Sequence, residues 1–133
     1  MMKTRKTLTI EGAAVHDIAT FYDEINRVFM QQEDWKLGQS LDALDDLLYG
    51  GFGAIEGQEA ITLVWRDIER SRAALGYDAT LDFYLAKLAR PEIFNRAWTE
   101  KKIADLESGN GATYFDIILD IISAHRNIEL RPE

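Results

Sequence analysis

Three aspartates, Asp42, Asp45 and Asp46, lie within five residues of the segment SLDALDDLLYGG, and no lysine or arginine lies among them. On a helix, carboxylates three or four residues apart repel one another at a cost of about 0.2–0.5 kcal/mol per pair. Such a cluster could bind a divalent cation, supply an acid and a base to a reaction, or present negative charge to a partner. Each role requires different residues elsewhere in the chain.

The sequence contains few residues that could complete a metal or cofactor site. Asp42 and Asp46 could share a divalent ion, but hard cations take about six oxygen ligands, and no EF-hand loop is present. His16 and His125 are far apart and form no HExxH motif. The glycines of GGFGAIEG follow a helix and precede a strand, the reverse of a phosphate-binding loop. We therefore expect no metal and no cofactor.

An enzyme that uses paired carboxylates needs two groups in opposed environments across a cleft, so that their pKa values separate. Three aspartates on one exposed helix face do not provide such environments. No serine, threonine or lysine stands in a nucleophile motif, and the absence of cysteine excludes a thiol nucleophile. The sequence predicts a protein that is not an enzyme, with acid–base catalysis by Asp42 and Asp46 as the least favoured alternative.

Composition and charge limit the partners. The net charge of −8 argues against direct nucleic-acid binding, which needs a basic surface, and favours a basic protein partner.

With 47% hydrophobic residues in 133, the chain can fold as a single domain spanning residues 1–133. No stretch approaches the roughly 18 apolar residues of a membrane span, and MMKTRKTLTI lacks the apolar core of a signal peptide. We expect a cytoplasmic protein that does not bind membranes.

The spacing of apolar residues predicts the elements that hold the aspartates. In chain order these are a strand at 6–10, helices at 17–29 and 41–49, a strand at 60–65, helices at 67–75, 80–89, 92–107 and 114–122, and a strand at 127–131. Pro91 predicts a break between two helices. Strands separated by helices predict an α/β fold in which helices pack on a small three-stranded parallel sheet.

The second helix is predicted to present its aspartates away from the core. Ser40 can cap its N-terminus, leucines form its inward stripe, and Gly50-Gly51 can end it. Asp42 lies near the positive end of the helix dipole, whereas Asp45 and Asp46 lie too far along to benefit much. Their charge is therefore not explained by the helix itself.

Aromatic residues flank this acidic helix. Trp35 lies in the loop at 31–39 before it, and Tyr49 and Phe52 follow it. Aromatic anchors beside charges are typical of protein–protein hot spots. From the residues alone, an acidic binding surface and a merely solvated helix face remain equally favoured.

Two motifs carry a resemblance to a known family. The run Ser-Leu-Asp-Ala-Leu-x-Asp at 40–46, which follows a loop with an aromatic residue and a glycine, and the strand end Leu-Val-Trp-Arg at 63–66 resemble the barstar family of intracellular ribonuclease inhibitors. The similarity covers about residues 6–75 and, more loosely, 110–130. It implies a barstar-like fold in which the second helix and its preceding loop block the nuclease active site, with carboxylates in the place of substrate phosphates.

The resemblance also implies a set of partner-binding residues. Asp42 and Asp46 match the two acidic positions of the motif, Trp35 or Lys36 falls where the family's loop has aromatics, and Asp120 is the nearest match to an acidic residue on a later helix. The full predicted set is Trp35, Lys36, Gly38, Asp42, Asp45, Asp46, Tyr49 and Asp120.

This chain departs from the family pattern in three ways. Asp45 replaces a tryptophan that is often found between the two aspartates, and Lys36 adds a positive charge to the loop. About residues 76–109 are extra and predict an inserted helical segment before the last helix.

The predicted function is that of a monomeric inhibitor that binds a basic ribonuclease one to one, with the protection of a cell from a nuclease toxin (immunity) as its role. The alternative is a regulatory or scaffolding module that has the same fold but binds a protein other than a nuclease. The inserted helices would then provide the binding surface.

Overall fold

The computed structural model describes residues 5–90 and 92–133, and over this range three parallel strands form one sheet. The strands, in spatial order, are β1 (Lys6–Glu11), β2 (Ile61–Arg66) and β3 (Ile128–Pro132). The helices are α1 (Ile18–Phe29), α2 (Leu41–Leu48), α3 (Ile68–Ala74), α4 (Tyr77–Leu88), α5 (Arg96–Glu107) and α6 (Tyr114–Ser123). The predicted α/β fold with a small parallel sheet is confirmed.

The central strand β2 is covered on both faces, as its nearly continuous apolar sequence predicts. Each residue from Ile61 to Trp65 is buried. The indole N–H of Trp65 donates to Ser71 Oγ at 2.9 Å, and Ser71 Oγ donates to the carbonyl of Gly12 at 3.1 Å. These bonds join β2, the first turn of α3 and the 3₁₀ turn after β1 in the interior.

Helix α2 is held on this core by its leucines. Leu44, Leu47 and Leu48 are fully buried, and burial of one leucine side chain contributes about 1.5–3 kcal/mol. Elsewhere in the core, the hydroxyls of Tyr22 in α1 and Tyr114 in α6 are 2.7 Å apart. None of the helices in the described ranges is long and apolar enough to cross a membrane.

Two helix boundaries differ from the prediction. Helix α4 begins at Tyr77 instead of position 80, because Thr80 turns its hydroxyl inward, where it donates to the Gly76 carbonyl at 2.6 Å and accepts from Tyr114 N at 2.7 Å. Helix α5 begins at Arg96 instead of position 92, because Asn95 caps it by accepting from Trp98 N at 2.9 Å. The break predicted at Pro91 falls on a residue outside the described ranges.

A buried carboxylate ties α1 to the end of β1. Glu24 is only 5% exposed, accepts the backbone N–H of Glu11 at 2.7 Å, and accepts two bonds from the Arg27 guanidinium at 2.6 and 2.7 Å. Burial by itself raises the pKa of Glu24, but the bonds from Arg27 and Glu11 outweigh it, so this pKa lies below its ordinary value.

We expect Glu24→Gln to lower the free energy of unfolding by about 2 kcal/mol at pH 7. As the pH falls, the unfolded chain takes up the proton first. The stabilisation is therefore complete above the ordinary glutamate pKa of about 4.3 and is lost as the pH falls through the lower, folded value. Urea unfolding of both proteins between pH 7 and pH 3 measures the difference, which should shrink with acid.

Glu69→Gln is the matched control, because Glu69 also pairs with an arginine three residues later, Arg72, but is exposed. Exposed pairs of this kind contribute about 0.3–0.5 kcal/mol. An equal, small effect of both substitutions would contradict the stabilising role of Glu24.

Candidate partner-binding site

The ends of α2 are fixed by local interactions that the sequence predicts. Ser40 Oγ accepts the backbone N–H of Ala43 at 3.3 Å, and Gly50 follows the helix with a φ of +84°. Because the leucines face inward, Asp42 and Asp46 are exposed on the opposite side of the helix. The structure therefore presents these two carboxylates side by side at i and i+4, as predicted.

Asp45 differs from its two neighbours. Its Oδ1 lies 2.7 Å from Nε2 of His125, which follows α6 and whose side chain is only 4% exposed. The exposed ring of Tyr49 packs edge-on against the same imidazole, with centroids 4.6 Å apart. Asp45 thus has an internal partner that the sequence analysis missed, and His125 fixes two of the predicted site residues.

The loop at residues 31–39 is attached to α1 by Asn26. The Asn26 side chain accepts the N–H of Leu37 at 2.7 Å and donates to the Leu37 carbonyl at 3.1 Å, so it satisfies both backbone groups of that residue. Leu37 is itself buried in the core. Sequence reasoning missed Asn26, because one polar residue on a helix gives no signal of such a contact.

The predicted loop residues are exposed on either side of this attachment. Trp35 is 46% exposed, and its ring packs against that of Phe52 in the loop after α2, with the ring centroids 5.0 Å apart. Lys36 and Gly38 are also exposed. Glu33 accepts the N–H of Gly53 at 2.8 Å. These contacts join the loops before and after α2 into one surface.

We expect Asn26→Ala to loosen the 31–39 loop and to leave the fold intact, with a loss of about 1 kcal/mol in unfolding free energy. Trypsin should then cut after Lys36 several times faster, because the backbone on both sides of Leu37 loses its attachment. Asn110→Ala is the control, since the side-chain amide of Asn110 donates to Ser108 Oγ within its own turn. Equal cleavage rates of the two variants would contradict the attachment.

Asp120 lies on α6, the helix that contacts α2, and it is exposed. Among the residues that the structure describes, neither Asp46 nor Asp120 forms an ion pair. Asp42, in contrast, faces Lys87 of α4 across a cavity and attracts it. Asp46 is therefore the aspartate of α2 whose charge is least compensated within the described protein.

The arrangement does not resemble a metal centre. In the described parts of the chain, no group of three or more histidine, aspartate or glutamate side chains is placed to hold a metal ion. Two exposed carboxylates beside exposed rings provide charge and contact area for a partner.

Comparison with known proteins identifies the family. A search of curated proteins finds no match. The family model described as Barstar (barnase inhibitor) matches residues 5–104, a range that takes in α4 and most of α5. The insertion expected at about 76–109 therefore stays a prediction. Because the match covers most of the sequence, the chain belongs to the barstar (barnase inhibitor) family.

Proposed function

We propose that this protein inhibits a ribonuclease by placing α2 and the 31–39 loop over the nuclease active site. The observation that supports this most directly is the pair of exposed carboxylates, Asp42 and Asp46, on a helix whose opposite side is buried. Family membership supports a ribonuclease as the target, since the family is described by its inhibition of barnase.

The physical basis is that carboxylates of the inhibitor take the place of the substrate phosphates. A ribonuclease binds the phosphates of RNA with cationic side chains, and carboxylates can accept the same charge-assisted hydrogen bonds. The net charge of −8 would attract a basic enzyme over a distance and so accelerate association. Trp35 and Tyr49 would add apolar contact area beside the charges. A monomer that acts in the cytoplasm, as an immunity protein, fits this mechanism.

The test is a titration of ribonuclease activity, with barnase as the first enzyme. If the proposal is correct, activity falls linearly and reaches zero at one equivalent of inhibitor.

In a second experiment, the protein is immobilised and used to capture partners from the lysate and the secreted fraction of its source cells. The captured material is assayed for ribonuclease activity. Failure to inhibit barnase together with capture of partners that lack nuclease activity would refute the proposal.

A second candidate is a regulatory or scaffolding module. Large apolar side chains are exposed on and between α4 and α5, namely Leu85, Ile93 and Trp98. A partner without nuclease activity that is captured equally well by the Asp42→Ala/Asp46→Ala double variant would favour this candidate.

A further inference from the structure

A cavity of about 560 Å³ lies between the N-terminal end of α2 and the C-terminal half of α4. Ser40 and Asp42 line one side of it. Phe83, Lys87 and Arg90 line the other side, together with Phe94. We call this cavity the α2–α4 pocket. It borders the proposed inhibitory surface directly, because Asp42 belongs to both.

The ammonium group of Lys87 lies against aromatic rings of the pocket. The Lys87 ammonium is 4.4 Å from the ring centroid of Phe83, 5.2 Å from that of Phe94 and 5.5 Å from that of Trp98. Ring faces attract a cation, so these contacts hold the ammonium in place. Lys87 is half-buried, and among the described residues it forms no ion pair with a carboxylate.

The charge of Lys87 is only partly compensated. Burial lowers the pKa of Lys87, and the attraction of Asp42 opposes this effect without overcoming it. The ammonium therefore loses more hydration energy than its own carboxylate neighbour returns. A second anion in the pocket would restore the balance.

Arg90 adds a second positive group at the rim. Its Nε lies 3.5 Å from a carboxylate oxygen of Glu92, but both side chains are more than half exposed. Such exposed pairs contribute little and can rearrange. A cation that entered the pocket would be attracted by Asp42 but repelled by both Lys87 and Arg90. An uncharged group would leave the charge of Lys87 only partly compensated.

We propose that the α2–α4 pocket receives an aspartate or glutamate side chain of the nuclease, with Lys87 as its counter-charge. This inference rests on the proposed function. In this contact a cation of the inhibitor faces an anion of the nuclease, the reverse of the proposed contacts in which Asp46 faces nuclease cations. Alternating signs fix the register of two proteins and exclude partners that lack the acidic group. Lys87 is thus a specificity-determining residue.

The first test compares Lys87→Met with Lys101→Met in complexes with barnase. Methionine keeps an unbranched apolar chain against the rings and removes the charge. Lys101 is an exposed lysine of α5 that pairs with Asp105, four residues later in the same helix, and lies outside the pocket lining. Lys87→Met should bind about tenfold more weakly, mainly through faster dissociation, and Lys101→Met should not. Unchanged or tighter binding by Lys87→Met would overturn the proposal.

The second test needs no nuclease. Sodium benzoate, a carboxylate with one ring, is titrated into the free protein while the NMR signals of Phe83 and Phe94 are followed. Saturable shifts should appear in the wild type and be absent in Lys87→Met. Absence of shifts in the wild type would overturn the pocket proposal even if inhibition is observed. If barnase is not inhibited at all, the proposed function fails for that enzyme, and the benzoate titration alone decides whether the pocket accepts a carboxylate.

Discussion

Asp46→Ala is expected to weaken binding of the ribonuclease by about 2–5 kcal/mol, a factor of roughly 30 to several thousand. In the free protein Asp46 is exposed at the outer side of α2, and within the described ranges no cation pairs with it. Its removal should therefore change the stability of the free protein little. In the complex, the cations of the nuclease would be left buried without an anion, and dissociation should accelerate.

The effect is measured as the dissociation rate and the inhibition constant at fixed ionic strength. Asp82→Ala is the matched control, because Asp82 is an exposed aspartate of α4 and its removal changes the net charge by the same amount. The control should alter only the association rate, and only at low salt. If the two variants weakened binding equally, the net charge of the protein and not the surface of α2 would determine affinity.

Gly50→Ala is expected to lower the free energy of unfolding by about 2–4 kcal/mol. Gly50 ends α2 with a φ of +84°, a conformation that costs a side chain about 1–2 kcal/mol. A Cβ at this position would lie 2.0 Å from the carbonyl oxygen of Gly57, so the backbone would also have to move. The N–H of Gly57 bonds to the Gly50 carbonyl at 2.9 Å, and this bond would be distorted too.

Gly51→Ala is a control one residue away. A Cβ on Gly51 meets no atom within 4 Å, and its backbone is not in the left-handed region. Urea unfolding should show that this variant is as stable as the wild type or slightly more stable. Similar losses in both variants would contradict a cost that arises from the left-handed backbone of Gly50 and its contact with Gly57.

Much of α2 and its surroundings could be predicted because the determining interactions are local. Ser40 and Gly50 act within one turn of the helix that they bound, and the leucine spacing alone selects the buried side. The central strand was equally predictable, since its five consecutive buried positions are all apolar except Thr62. Helices α4 and α5 were harder to delimit, because their apolar residues lie on several sides instead of one stripe.

The contacts that complete the candidate site could not be predicted, because they join residues distant in sequence. His125 is 80 residues from Asp45, and Asn26 is 11 residues from Leu37. The spacing of apolar residues along the chain contains no information about such distant pairs. Lys87 faces Asp42 only because the fold places α4 across the pocket from the start of α2.

The attachment of α2 at His125 and of its preceding loop at Asn26 has a consequence for mimicry of the surface. Residues 31–53 are continuous in sequence and include most of the predicted contact residues, so a synthetic peptide of that range would carry the right side chains. It would lack the imidazole that holds Asp45 and Tyr49 and the amide that holds Leu37. The geometry of the proposed binding surface therefore depends on residues outside the 31–53 segment, and we expect the isolated peptide not to reproduce it.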